Sequence, residues 1–329
     1  MASYILRRLG YMAILIVLVA VVGFIIIELP PGSYLEVELT RIRALGGDIN
    51  QAMIDALKQQ YGVDQPFHVR FWKWISGFVR GDFGLSFEYW TPVNQLIWLR
   101  LWYTIFTSLL TLVFQWVLAI FIGVYSATHR YSPLDYLLTV LQFIGLSMPA
   151  FLLALLLMVI VHKTLGWHVS GFNSPEFQDL PWNWAKIVDF AKHIWLPVVV
   201  VGANGTAWLS RVMRANLLDV LNMQYVQTAR SKGVRENVVV WKHAVRNAIH
   251  PLIMVLGASL PAIISGQLIV GVVLNLPTVG PLYFRALMNQ DMYLAASILM
   301  FLTFALLIGN LLADILLAIV DPRIRLGEG

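Results

Sequence analysis

Histidines and carboxylates are the side chains through which this chain could hold a metal or pass a proton, and their spacing suits neither task. The seven histidines, His68, His129, His162, His168, His193, His243 and His250, form no HExxH or comparable ligand spacing. No serine sits in a Gly-x-Ser-x-Gly elbow, and no lysine follows a glycine, so the hydrolase nucleophile and the Walker-type phosphate loop are both missing. Cysteine is absent, which removes disulfides and thiolate metal sites. Asp314, inside an apolar run, suggests a proton relay and hence an ion-coupled carrier or channel. It lies near the end of that run, however, and is expected to pair with Arg323 or Arg325. No catalytic or metal-ligating residue is assigned, and no cofactor is expected on this chain. What remains is a surface: the charged amphipathic stretch ANLLDVLNMQYVQTARSKG from Ala215, between two apolar segments.

The elements around it follow from composition. With 59% hydrophobic and 12% charged residues and a mean hydropathy of +0.73, the 329-residue chain has more apolar surface than a soluble fold could bury. It reads as an all-α integral membrane protein. Apolar runs of about 20 residues match a hydrocarbon core of roughly 30 Å. Six are expected: Leu9 to Ile27, Leu101 to Thr128, Tyr136 to Val161, Ile194 to Ser210, Pro251 to Asn275, and Met292 to Val320. The first follows Arg7 and Arg8 as a signal peptide would, but it ends in Glu28-Leu29-Pro30-Pro31 without a small-residue cleavage site and reads as a retained helix.

Charge sets the expected orientation. A cytoplasmic N-terminus places Arg7, Arg8, Arg130, Arg211, Arg214, Arg230, Lys232, Arg235, Lys242, Arg246, Arg323 and Arg325 inside, twelve of the 23 cations. An even number of crossings returns the C-terminus to the cytoplasm. The basic pI of about 9.4 thus follows membrane topology, and no nucleic-acid partner is expected.

Outside, residues 30–100 are expected to form a small lobe after the N-terminal helix of 1–29, with a short helix over Asp48 to Gln60 ended by Tyr61-Gly62-Val63-Asp64-Gln65-Pro66. The rest, 101–329, forms a five-helix core. Trp72, Trp74, Trp90, Trp98 and Trp102 cluster near the second span, and Trp167, Trp182, Trp184 and Trp195 near the fourth. Indoles favour the lipid–water boundary, while stacking on a sugar or peptide is the alternative use.

The loop 211–250 is the most informative segment. Leu217, Leu218, Leu221, Tyr225 and Val226 fall on one helical face, which predicts a single amphipathic helix closed by Gly233 as a left-handed cap. By itself such a helix suits a basic surface lying on membrane lipid as well as a docking element.

Tyr225-Val226-Gln227-Thr228-Ala229-Arg230-Ser231-Lys232-Gly233, followed by His243-Ala244-Val245-Arg246-Asn247-Ala248 and Pro251, resembles the EAA-type loop of ABC importer permeases of the dipeptide/oligopeptide subfamily. Tyr4-Ile5-Leu6-Arg7-Arg8-Leu9, Gly81-Asp82-Phe83-Gly84-Leu85-Ser86, Ser147-Met148-Pro149 and Val320-Asp321-Pro322-Arg323-Ile324-Arg325 resemble the same subfamily in the same order. The chain departs from the subfamily at Leu29-Pro30-Pro31-Gly32-Ser33 and at Asn275-Leu276-Pro277-Thr278-Val279-Gly280, both expected outside.

The resemblance implies the type I importer permease fold with six membrane helices in a bacterial or archaeal (inner) membrane. It also implies a second homologous permease subunit, two cytoplasmic ABC ATPases carrying ATP and Mg, and an extracellular or periplasmic solute-binding protein. In it, Tyr225, Val226, Gln227, Thr228, Ala229, Arg230, Lys232 and Gly233 form the coupling helix, with Tyr225, Val226 and Ala229 packed into the ATPase cleft. The substrate implied is a peptide, with an oligosaccharide as the alternative. Polar or helix-breaking residues in the spans then mark the pathway: Gln142, Ser147, Met148, Pro149, Ser265, Gln267 and Asn275.

Overall fold

The structure, a computed structural model, describes residues 2–29, 34–44, 51, 54–55 and 65–320. The expected helix over Asp48 to Gln60 lies mostly outside these residues, as do Arg323 and Arg325 and the side chain of Asp314. Among the described residues no strand forms, and Leu85 with Pro92 makes an isolated antiparallel bridge.

The helices are α1 (Ala2–Glu28), α2 (Tyr34–Ala44), α3 (Phe67–Val79), α4 (Val93–Thr128), α5 (Pro133–Ser147), α6 (Ala150–Leu165), α7 (Trp184–Leu221), α8 (Gln224–Ser231), α9 (236–248), α10 (His250–Val273), α11 (Val279–Met288) and α12 (Met292–Val320). Four stretches are long and apolar enough to cross a membrane, in α1, α4, α7 and α12, and α5 with α6 make a fifth if that bent pair is one crossing. Within α10 the described apolar run is Ile263–Val273.

Capping residues explain several boundaries. Ser132 accepts the Asp135 N–H at 3.1 Å ahead of Pro133 in the first turn of α5, and Asn183 accepts the Lys186 N–H at 2.8 Å to start α7. Gly166 ends α6 at φ +68°, a left-handed conformation that glycine adopts without a side-chain penalty.

Helix packing forms two compact units. The first takes in 1–103 and 277–308. Its core includes Ala20, Phe24, Trp74, Met292, Ala296 and Met300, and Trp74 stacks on Phe24 with ring centroids 5.4 Å apart. Trp74 is therefore a core residue and not a boundary indole: its ring N–H donates to the Ser297 hydroxyl at 3.2 Å, while Trp72, Trp98 and Trp102 stay exposed. Arg70 and Glu28 join α3 to α1 through a two-pronged ion pair at 2.8 and 2.9 Å.

The Gly-Asp-Phe-Gly-Leu-Ser motif also lies in this unit, with its serine bonded to a buried carboxylate. The Ser86 hydroxyl donates to the buried Asp291 carboxylate at 2.5 Å, and the Glu88 N–H donates to it at 3.2 Å. Asp291 in turn accepts the Leu294 N–H at 3.3 Å and so caps α12.

The second unit takes in 104–276 and residues from 309 on. Here α7 packs against α5, α6 and α10. Close approach of α4 and α7 depends on Gly123, where a Cβ would lie 2.6 Å from the Met213 Cβ. Asp135, at the start of α5, is buried and accepts from Arg214 of α7 at 2.9 Å.

Candidate functional site

Two features of the second unit bear on function: the short helix α8 and a cavity beside the break between α5 and α6.

The amphipathic stretch forms two helices and not the single one its periodicity predicts. Helix α7 runs on through Arg211 to Leu221, so Leu217 is a fully buried residue of a long span helix. Asn222 caps it, Met223 turns extended (φ −71°, ψ 148°), and α8 starts at Gln224. The apolar spacing persists across this break because both helices rest on one core. That core joins Ala119, Val124 and Ala127 of α4 to Leu209, Met213 and Leu217 of α7, Val226 of α8, Val239, Val240 and Ala244 of α9, and Leu252 of α10.

Val226 is expected in a partner's cleft, yet it is fully buried in its own chain and anchors α8 from below. Ala229 packs partly against the same core, and the Tyr225 hydroxyl accepts from the Asn247 amide at 2.7 Å. The outward side of α8 carries Gln224, Gln227, Thr228, Ser231 and Lys232. Gln227 also donates to the Leu221 carbonyl at 3.2 Å, bridging the break from α7.

Gly233 lies at φ +74°, with its N–H on the Arg230 carbonyl at 2.9 Å, so the left-handed turn closes α8 as its sequence predicts. The Arg230 guanidinium grips the Glu236 carboxylate through two bonds, at 2.6 and 3.2 Å, across that turn. Hydrogen bonding from Arg230 holds the Glu236 carboxyl below its ordinary value, and the same bond raises the guanidinium. After the turn, α9 passes through a π-helical segment, Val239–Ala244, before α10 begins.

The cavity, of about 680 Å³, is lined by residues from α4, α5, α6, α7 and α10. Helices α5 and α6 meet at 118°, with Met148 (ψ 129°) and Pro149 (ψ 136°) both extended. No helical bond crosses this break: the Met148 N–H to the Ile144 carbonyl closes α5, and the Leu152 N–H to the Pro149 carbonyl opens α6. Irregular backbone at membrane depth is stable only where it is packed in protein or faces water.

Ser147, Met148 and Pro149 line the cavity, whereas Gln142, Ser265, Gln267 and Asn275 fall outside its lining. Gln142 and Gln267 are buried, and both amide atoms of Gln267 are without a partner among the described residues. Asn275, just past the Leu274 cap of α10, lies at φ +51°. The lining also includes Gln115 of α4 and Asn204 of α7. Each is a lone amide in an otherwise apolar or small-residue run, TLVFQWVLA and VVGANGTA, and that isolation is the signal by which the sequence marks them. Among the described residues no group of three or more His, Asp or Glu is placed to hold a metal ion.

The chain is similar to known proteins along nearly its whole length. Residues 119–326 match the family model described as binding-protein-dependent transport system inner membrane component, and residues 1–108 match the model for the N-terminal part of such membrane components. The chain is 36% identical to the oligopeptide transport system permease protein AppB of Bacillus subtilis, over 99% of this chain and 100% of that protein. It is 34% identical to the glutathione transport system permease protein GsiC of Salmonella typhimurium and 32% identical to a putative peptide permease protein of Brucella suis, each over 99% of both chains.

Proposed function

Since this chain belongs to the family of binding-protein-dependent transport system inner membrane components, we propose that it is a permease subunit of an ATP-driven peptide importer. The relatives' names speak of oligopeptide, peptide and glutathione transport, which supports a peptide and sets the oligosaccharide reading aside. The observation that carries the coupling half of the reading is the seating of α8. Its polar side is presented outward while Val226 is sunk in a core shared by α4, α7, α9 and α10. A helix so anchored cannot tilt without moving the ends of those helices, which is what alternating access requires of a transmission element.

In this reading Gln227, Thr228 and Lys232 meet a cytoplasmic ATPase, Arg230 and Gly233 fix the turn behind them, and Tyr225, Val226 and Ala229 tie the helix to the spans. Two such ATPases carry ATP and Mg. A second homologous permease completes the pathway, and an external binding protein delivers the substrate. The chain crosses the membrane six times with both termini inside, α5 with α6 and α10 supplying the crossings beyond α1, α4, α7 and α12. Residues 30–100 form an external lobe.

The test is peptide uptake by the reconstituted transporter with and without ATP. Uptake that needs ATP and ignores a dissipated ion gradient is expected. Uptake that persists without ATP and collapses with the gradient would overturn the reading in favour of an ion-coupled carrier.

A further inference from the structure

The cavity beside the α5–α6 break has a chemistry of its own. None of its lining residues is charged, and its polar side chains are Gln115, Asn204, Ser147, Ser259 and the indole of Trp208, together with the main chain of the break. Gln115 is 97% buried, and its amide has no hydrogen-bond partner among the described residues. Its position depends on Gly205, also on the cavity wall, where a Cβ would collide with the Gln115 amide oxygen. Asn204, one residue before Gly205 in the same span, is exposed.

An amide held in a membrane helix without a partner is costly unless something intermittently pairs with it. At the break, the carbonyls of Gly145, Leu146 and Ser147 and the N–H groups of Ala150 and Phe151 likewise have no main-chain partner. The wall thus offers acceptors and donors side by side, all uncharged. A cation would use the acceptors and leave the amide donors idle, while the peptide group of the cargo already favoured by the relatives matches both at once.

Building on the peptide-importer reading, we propose that Gln115, Asn204 and the α5–α6 break form a contact site for the main chain of the transported peptide, which grips the peptide bond and is indifferent to side-chain charge. A neutral wall neither attracts nor repels charged side chains strongly, so this subunit's share of the pathway passes cationic and anionic peptides alike.

The experiment uses the complete transporter in proteoliposomes, with trialanine, Ala-Lys-Ala and Ala-Glu-Ala as probes at saturating concentration. Gln115→Leu and Asn204→Leu each keep side-chain volume and are expected to lower maximal uptake of all three peptides by about tenfold, the loss of one hydrogen bond to a group that is otherwise unpaired. Gly205→Ala reproduces the Gln115→Leu defect by displacing the amide. Asn204→Asp introduces a charge and lowers uptake of Ala-Glu-Ala relative to Ala-Lys-Ala. Recovery of the assembled complex by size exclusion establishes that each variant is intact. Wild-type uptake in both leucine variants, or a loss confined to one charge class, overturns the proposal. No peptide uptake by the unsubstituted transporter overturns the importer reading and this inference with it.

Discussion

At the scale of single residues, Arg230 is the most instructive position. Its charge suggests a contact with a partner, but both of its bonds go to Glu236 on the far side of the Gly233 turn. Arg230→Glu would set two carboxylates face to face there and loosen α8 from α9. Stimulated ATP hydrolysis and peptide uptake in the reconstituted transporter should both fall, and Arg230→Glu combined with Glu236→Arg should restore them. Failure of the exchange to rescue would mean that Arg230 acts on something outside the chain. Because the folded-state value of Glu236 is lowered, the pair's contribution is present above the ordinary carboxyl value of roughly 4.3 and is lost only as pH falls through the lowered value. The brace is therefore constant near neutral pH.

At the scale of elements, two ties hold helix ends that the sequence shows only as separate fragments. The buried Asp135 and the part-exposed Arg214 pair the start of α5 with α7. Asp135→Ala would leave the guanidinium without this partner and should lower the thermal midpoint in detergent, by less than the loss of a fully buried pair because solvent reaches Arg214. Asp291 and Ser86 are the second tie, 205 residues apart in the chain. Burial raises the Asp291 carboxyl above its ordinary value against the opposing pull of the hydrogen bonds from Ser86, Glu88, Leu294 and Phe87. Its stabilising contribution is thus fully present below the unfolded-state value, near 3.9, and declines as pH rises through the raised one. Ser86→Ala removes one opposing bond, so it should lower stability at neutral pH by about 1.5–3 kcal/mol and steepen that decline. Thermal midpoints of both proteins across the acid range would show it.

These ties explain what the sequence could and could not reveal. Helix positions were legible because an apolar run of membrane length admits little else, and the Gly233 cap because only glycine takes that φ cheaply. The division of the amphipathic stretch at Asn222 was not, since a shared core keeps apolar spacing in register across a turn. Nor was the break at Met148-Pro149, since a proline in an apolar run reads equally as a kink. The contact of Ser86 with Asp291 depends on tertiary packing, which periodicity does not encode. For the cavity, Ser147, Met148 and Pro149 were visible as irregularities in a span, whereas Gln115 and Asn204 are marked in the sequence only as lone amides in apolar runs, and folding is what brings them to one wall.

For the whole molecule, the absence of cysteine makes orientation directly testable. A lone thiol at the exposed position Arg130 should react with an impermeant maleimide in inside-out vesicles and not in intact cells, and Arg80→Cys should show the reverse. Labelling of both from the same side would contradict the proposed topology.

The broken α5–α6 pair has a consequence of another kind, concerning the lifetime of the chain in the cell. Open main-chain groups and the exposed Asn204 are tolerable beside water or protein, but against acyl chains each would cost several kcal/mol. A subunit synthesised without its companions has only lipid and whatever water it can draw in to cover that wall. Such an orphan should be recognised and degraded quickly, and pulse-chase labelling should show its half-life lengthening when the companion permease is co-expressed. The groups proposed to grip the cargo would then also time-limit any copy that fails to assemble.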